Sequence, residues 1–265
     1  MRRYMLVVKA TPEFEAGTFP DAAFDAEAAK YLSELASTGA LVAADRLQPS
    51  SHGKRVHYKA GKFTVTDGPF AETKELVAGY CLIQAASLEE AVAWAKRMPF
   101  QAGDVDVRPL FELTDFPVDP AEQPGGWREK EADMKAAPPP ARKPGTTRYM
   151  GLLKADRDTE AGVMPDERAL AAMGAFIEEA SKSGGILAGE GLQPSSQSAR
   201  VRFSGSQRLV TDGPFTETKE LVAGYAILQF ATPAEALDWT KRFVEVDAPA
   251  RLNSECECEL RPIVN

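Results

Sequence analysis

The chain is short of the residues on which most recognisable chemistry is built. Its 265 residues include two histidines, His52 and His57, and three cysteines, Cys81, Cys256 and Cys258. Three thiols so unevenly placed cannot form a disulfide framework, and they point to a reducing compartment, the cytoplasm. Cys256-x-Cys258, with both histidines far away in sequence, does not meet the spacing of a structural zinc site, so neither a metal nor an organic cofactor is expected. Positive charge is in deficit: 31 Lys and Arg against 39 Asp and Glu give a net charge of −8. A nucleic-acid surface needs the opposite balance, a basic stripe that displaces counterions. No apolar run approaches the roughly 20 residues that cross a bilayer. Phosphate loops, Gly-rich dinucleotide fingerprints and serine-centred elbows are missing too. The start, "MRRYMLVVKATPE", lacks the long apolar core of an export signal and reads as a first β-strand.

What the chain does have is a sentence written twice. "VTDGPFAETKELVAGY" at 65–80 returns at 210–225 with one change, Ala71 to Thr216. An offset of 145 aligns 3–97 with 148–242 without a gap, matching Leu47-Gln48-Pro49-Ser50-Ser51 to Leu192-Gln193-Pro194-Ser195-Ser196 and Trp94 to Trp239. A period so far beyond solenoid lengths means a duplicated domain. The copies span 1–113 and 146–265. Between them, 114–145 is rich in Pro and Gly and reads as a linker whose coil reaches about 30 Å, enough to let the copies pack face to face.

Within each copy the periodicities predict β-α-β-hairpin-β-α-β. A strand at 3–10 precedes a helix with Phe24, Ala28, Tyr31, Leu32 and Leu35 on one face and Asp21 in its first turn. A strand near 40–46 ends at "LQPSS", and strands at 54–59 and 62–66 flank an Ala60-Gly61 turn. A strand at 76–84 is apolar on both faces, "SLEEAVAWAKR" is a second helix, and "DVDVRPLFEL" closes the unit. This is the order of the α+β, ferredoxin-like fold. Such a sheet carries helices on one face and needs a cover for the other, which a second copy supplies.

"LQPSS", "VTDGPFAETKE…AGY" and the closing "DVDVRPL", in that order and in both copies, resemble the YCII-related proteins, in particular the subgroup known for the tetrapeptide Asp-Gly-Pro-Phe. The resemblance implies two tandem ferredoxin-like domains that form a dimeric α+β barrel within one chain, a pseudo-dimer. Relatives with this fold include small-molecule enzymes. Members of the subgroup often accompany extracytoplasmic-function sigma factors, so the resemblance implies two functions: a cofactor-independent small-molecule enzyme or binder, or a non-catalytic module that contacts a regulatory protein. Wider relatives are held to use a His–Asp pair. Here Gln197 and Arg202 stand opposite His52 and His57, which excludes a symmetric histidine base.

The repeated segment has resisted drift. It keeps fifteen of sixteen residues, while 22–37 keeps only Ala26 and Glu34 against 167–182. One reading is a tight turn, with Gly68 free to take positive φ. The other makes Asp67 and Asp212 carboxylates at a pocket rim, suited to proton transfer, because Pro69 lacks the N–H that an aspartate in this position ordinarily binds. Glu72 and Glu217 belong to a charge run that reads as a solvated loop or as part of a substrate site. Arg55 and Arg200, paired ahead of the hairpin, either hold a substrate carboxylate in a guanidinium fork or make salt bridges to Asp45 and Glu190. Gly79 and Gly224 interrupt buried strands and mark a bulge or a close backbone approach.

Overall fold

A computed structural model of the chain describes residues 1–70, 76–115, 143–215, 221–251 and 254–264. Most of the expected linker, 116–142, lies outside them. The first copy runs β1 (Arg2–Lys9), α1 (Pro12–Glu15), α2 (Ala22–Ser37), β2 (Leu41–Arg46), β3 (Lys54–Lys59), β4 (Lys62–Asp67), β5 (Val77–Ala85), α3 (Leu88–Lys96) and β6 (Ala102–Pro109). The second repeats it as β7 (Thr147–Lys154), α4 (Arg157–Glu160), α5 (Glu167–Ser183), β8 (Ile186–Gly191), β9 (Ala199–Ser204), β10 (Gln207–Asp212), β11 (Val222–Phe230), α6 (Pro233–Asp247) and β12 (Glu255–Pro262).

Local chemistry sets these boundaries. Asp21 and Asp166 accept the N–H groups of Phe24 and Ala169 and so start α2 and α5, while Ser87 and Thr232 do the same for α3 and α6. Ala60 and Gly61, at φ 48° and 79°, make the left-handed two-residue turn between β3 and β4 that matches the twist of paired strands. At Gly79 and Gly224 the pairing with β1 and β7 slips by a residue, and the backbone of Asp45 or Glu190 passes close, which fits the expected bulge.

The strands form two six-stranded antiparallel sheets, ordered β10-β9-β6-β1-β5-β2 and β4-β3-β12-β7-β11-β8. Each hairpin therefore sits on the sheet of the other copy: β3 pairs with β12, and β9 with β6. "LQPSS" is the crossover. Leu47 leaves the first sheet and bridges Ile263, the Gln48 N–H donates to the Pro262 carbonyl at 2.9 Å, and a single helical turn at Ser50–His52 redirects the chain into β3. Leu192 bridges Leu110 in the same way, and the Gln193 N–H donates to the Pro109 carbonyl.

Alternation along each strand divides the core. In β1, Tyr4 and Leu6 face the helices, while Met5 and Val7 face the other sheet. The inner layer joins Met5, Leu82 and Tyr80 to Met150, Ile227 and Tyr225, with the two tyrosine rings 6.2 Å apart. The outer layers are not equally filled. Gly151 stands where the first copy has the fully buried Leu6, and beside it a cavity of about 20 Å³ lies under α5 and α6, room for about one water. A Cβ on Gly151 would meet Cys258 Sγ at 3.5 Å and the Ala226 carbonyl at 3.8 Å, ordinary contacts. Gly151→Ala is expected to raise the melting temperature by about 1–4 °C, from about 0.5–1 kcal/mol of backbone entropy. A lower melting point would show that this layer has no slack.

Candidate functional site at the seam between the copies

The Asp-Gly-Pro-Phe corner packs onto the crossover of its own copy. A Cβ on Gly68 would lie 1.8 Å from the Ser50 carbonyl oxygen, and one on Gly213 would lie 1.7 Å from that of Ser195. Glycine is required by this close approach; neither residue has the positive φ expected from sequence. The peptides Gly68–Pro69 and Gly213–Pro214 are cis. Past the proline, the Phe70 N–H donates to Ser50 Oγ at 3.1 Å, and the Phe215 N–H to Ser195 Oγ at the same distance. The phenyl rings then lie under guanidinium groups, Arg55 over Phe70 at 4.3 Å and Arg200 over Phe215 at 4.4 Å.

Those arginines lead to two buried ionic clusters, each built from both copies. In the first, Arg200 Nε and Nη2 donate to the two oxygens of Asp106 at 2.5 and 3.0 Å, and Lys9 Nζ lies 3.6 Å from Asp106. Arg108 donates to the Gln193 carbonyl at 2.7 Å and lies 3.6 Å from Glu160, which accepts the Ser195 N–H at 3.0 Å. In the second, Arg55 reaches Glu259 at 3.1 Å, Arg261 donates to Glu259 at 2.7 Å, and Lys154 Nζ lies 3.8 Å away. Arg261 also donates to the Gln48 carbonyl and lies 3.4 Å from Glu15, whose carboxylate accepts the Ser50 N–H at 2.9 Å. Asp106, Arg108, Glu259 and Arg261 are all at most 2% exposed.

Burial alone would raise the Asp106 carboxyl, but Lys9, Arg200 and Arg108 outweigh it and hold the group below the ordinary carboxylate range. Glu259 is held down in the same way by Lys154, Arg261 and Arg55. Burial lowers the Lys9 amine; Asp106 opposes the fall, and Arg200, Lys154 and Arg108 add to it.

Of the residues expected from sequence to form a site, Arg55 and Arg200 fall inside these clusters. Their anticipated partners are taken: Arg148 pairs with Asp45, and Arg3 with Glu190, again across the copies, with Tyr80 and Tyr225 hydroxyls on the same carboxylates. Asp67 and Asp212 do not point into a cleft. They end the outermost strands β4 and β10 in water; the Asp67 side chain is 74% exposed and pairs with Lys54, and Ala199 stands at the corresponding place opposite Asp212. The double change Asp67→Asn with Asp212→Asn is expected to shift the melting temperature by no more than about 1 °C, since exposed pairs contribute little. Glu72 and Glu217 lie outside the described residues. His57 pairs with Glu255 at 2.7 Å on the half-exposed part of β3. The three thiols are buried, and burial pushes Cys81 up to about 12 and Cys256 and Cys258 higher. Among the described residues no cluster of three His, Cys, Asp or Glu side chains could hold a metal ion, and no helix is long and apolar enough to cross a membrane.

Sequence reasoning missed Lys9, Asp106, Arg108, Glu15 and Ser50 with their counterparts Lys154, Glu259, Arg261, Glu160 and Ser195. Their signal was present. An acidic residue two places before Arg-Pro recurs in "DVRP" and "ELRP", at an offset that changes after the second helix, and charges inside otherwise apolar strands mark an inner face that is not purely apolar.

Comparison with known proteins adds the family and little chemistry. The YCII-related domain model matches residues 2–114 and again 147–250. An uncharacterized protein of Rhizobium meliloti (strain 1021) is 43% identical over 68 residues, 24% of this chain, and the match spans about half (55%) of that relative's length. A solved structure described as a novel heme-binding protein from Thermus thermophilus aligns over 100% of this chain and 91% of its own, at 11% identity and a TM-score of 0.41, too distant a likeness to carry an argument about binding.

Proposed function

The chain belongs to the family of YCII-related domains, and from that premise we propose that it binds an anionic small molecule, as a cofactor-independent enzyme or binder, at the buried seam clusters. One observation carries the reading: the chain twice keeps three cations and two carboxylates together in its interior, where apolar residues would hold the copies together as well. Replacing buried ion pairs by packed hydrophobic groups is often neutral or stabilising, so their retention needs a further reason. Arg200 and Arg55 would grip the ligand, Asp106 and Glu259 would be the carboxylates available for proton transfer, and Phe215 and Phe70 would fix the arginine planes. Asp67 and Asp212 would act at most as rim groups, and loss of binding in their double asparagine variant would restore them to the chemistry. The buried, free thiols support the cytoplasm as the proposed location.

The test is thermal unfolding with small carboxylates and phosphates at constant ionic strength. A ligand at about a hundred times its Kd adds about 2.7 kcal/mol, a rise of about 5–11 °C. Arg200→Lys keeps the charge but loses the fork and should weaken that response about tenfold or more. If no anion raises the melting point, the rival reading stands, a non-catalytic module that contacts a regulatory protein such as an extracytoplasmic-function sigma factor.

A further inference from the structure

The central carboxylates of the two clusters, Asp106 and Glu259, differ by one methylene group, and the difference falls on the group that matters. Glu259 reaches Arg261 at 2.7 Å and Arg55 at 3.1 Å, and Arg261 Nε donates to the Gln48 carbonyl at 3.1 Å. Asp106 is shorter. Both of its oxygens are engaged by Arg200, and among the described residues the carboxylate in ion-pair reach of Arg108 is Glu160. Arg108 Nε is left buried without a hydrogen-bond partner in a side chain about 2% exposed. Native proteins rarely keep such a group unless a water or ligand completes it. Arg55 Nε in the second cluster also lacks a hydrogen bond, but a Glu257 oxygen lies 3.4 Å from it.

The carboxylates beside Arg55 and Arg108 differ as well. With Glu257 beside Arg55, the second cluster sets Glu259, Glu15 and Glu257 among Lys154, Arg261 and Arg55. In the first, the residue at the position of Glu257 is Asp104, and Arg202 occupies it with two contacts of 2.9 Å. That carboxylate is spent on an exposed arginine, and among the described residues the ion pair of Arg108 is the looser contact with Glu160 at 3.6 Å, where Arg261 has Glu259 at 2.7 Å.

We propose that the first cluster is the ligand site and receives the carboxylate of a small organic acid on Arg108, while the second is its closed copy, in which Glu259 supplies that carboxylate from within the chain. This rests on reading the clusters as anion sites and adds which one is open and for what group. Calorimetric titration with formate and acetate, against sodium chloride at equal ionic strength, tests it. The wild-type protein should bind one equivalent. Asp106→Glu, which rebuilds the second cluster's geometry in the first, should weaken binding about 10- to 100-fold, the worth of a charge-assisted hydrogen bond. Glu259→Asp should bind a second equivalent. Two equivalents in the wild type, or unchanged binding in Asp106→Glu, would overturn the asymmetry and leave the anion reading intact. No binding of either acid by the wild type would mean that a buried water completes Arg108, and both would fall. Should Asp106→Glu not fold, the stoichiometry of Glu259→Asp decides.

Discussion

Glu259→Gln is expected to lower the melting temperature by about 6–20 °C. The side chain is fully buried and is the shared counter-charge of Arg55, Lys154 and Arg261. The amide keeps the volume but leaves three cations facing one another with Glu15 and Glu257 at the margins. Removing one partner of a buried ionic group costs about 3–5 kcal/mol, and in a chain of this size each kcal/mol is about 2–4 °C. The same carboxylate sets the acid limit. Because the folded-state value of Glu259 lies below its unfolded one, its contribution is complete above the unfolded carboxyl range, near pH 4.3, and is lost as pH falls through the folded value. Asp106 adds a parallel loss. Denaturant titrations from pH 6 to 2 should show stability falling steeply below about pH 4 in the wild type and less steeply in Glu259→Gln. A melting point within about 2 °C of wild type would mean that the cluster is solvated and that its charges are not held as described.

Gly68→Ala and Gly213→Ala should each cost as much, for a purely steric reason. The new methyl carbon would sit less than 2 Å from a backbone carbonyl oxygen, in a crossover pinned by Glu15 or Glu160 through the serine N–H. No rotamer relieves such a clash, so the corner must lift off the crossover and drag Phe70 or Phe215 away from its arginine. A loss of about 3 kcal/mol or more is expected, with the double variant less stable than either single one. Urea unfolding checks this. A change under about 1 kcal/mol would mean that the corner moves freely and does not explain why the sentence is repeated.

The fold was legible because its signals are local. Asp21, Ser87 and the Ala60-Gly61 turn announce boundaries, and the 145-residue repeat announces two copies. The hairpin exchange was not legible, since β3 reads the same whether its neighbour is its own copy's closing strand or the other's. The candidate site was half legible. Arg55 and Arg200 stand out as paired cations, but the most conspicuous letter of the repeated tetrapeptide, Asp67, ends in water. Gly68 and Phe70, conventional by comparison, make the contacts with Ser50 and Arg55. Lys9, Asp106 and Arg108 hide within strands because alternation tells which face a residue takes, and not that both faces are covered.

The exchanged hairpins also order events in time. Arg55 meets Glu259 across 204 positions of sequence, so β3 and β4 leave the ribosome long before the strand they must lie against exists. At about 5–20 residues per second that interval is about 10–40 s, during which an amphipathic ribbon waits with an open edge. Pairings this distant slow folding, and the first sheet is equally incomplete until β9 arrives. Neither copy can finish alone, so the chain should unfold in a single transition, as one cooperative body written in two paragraphs.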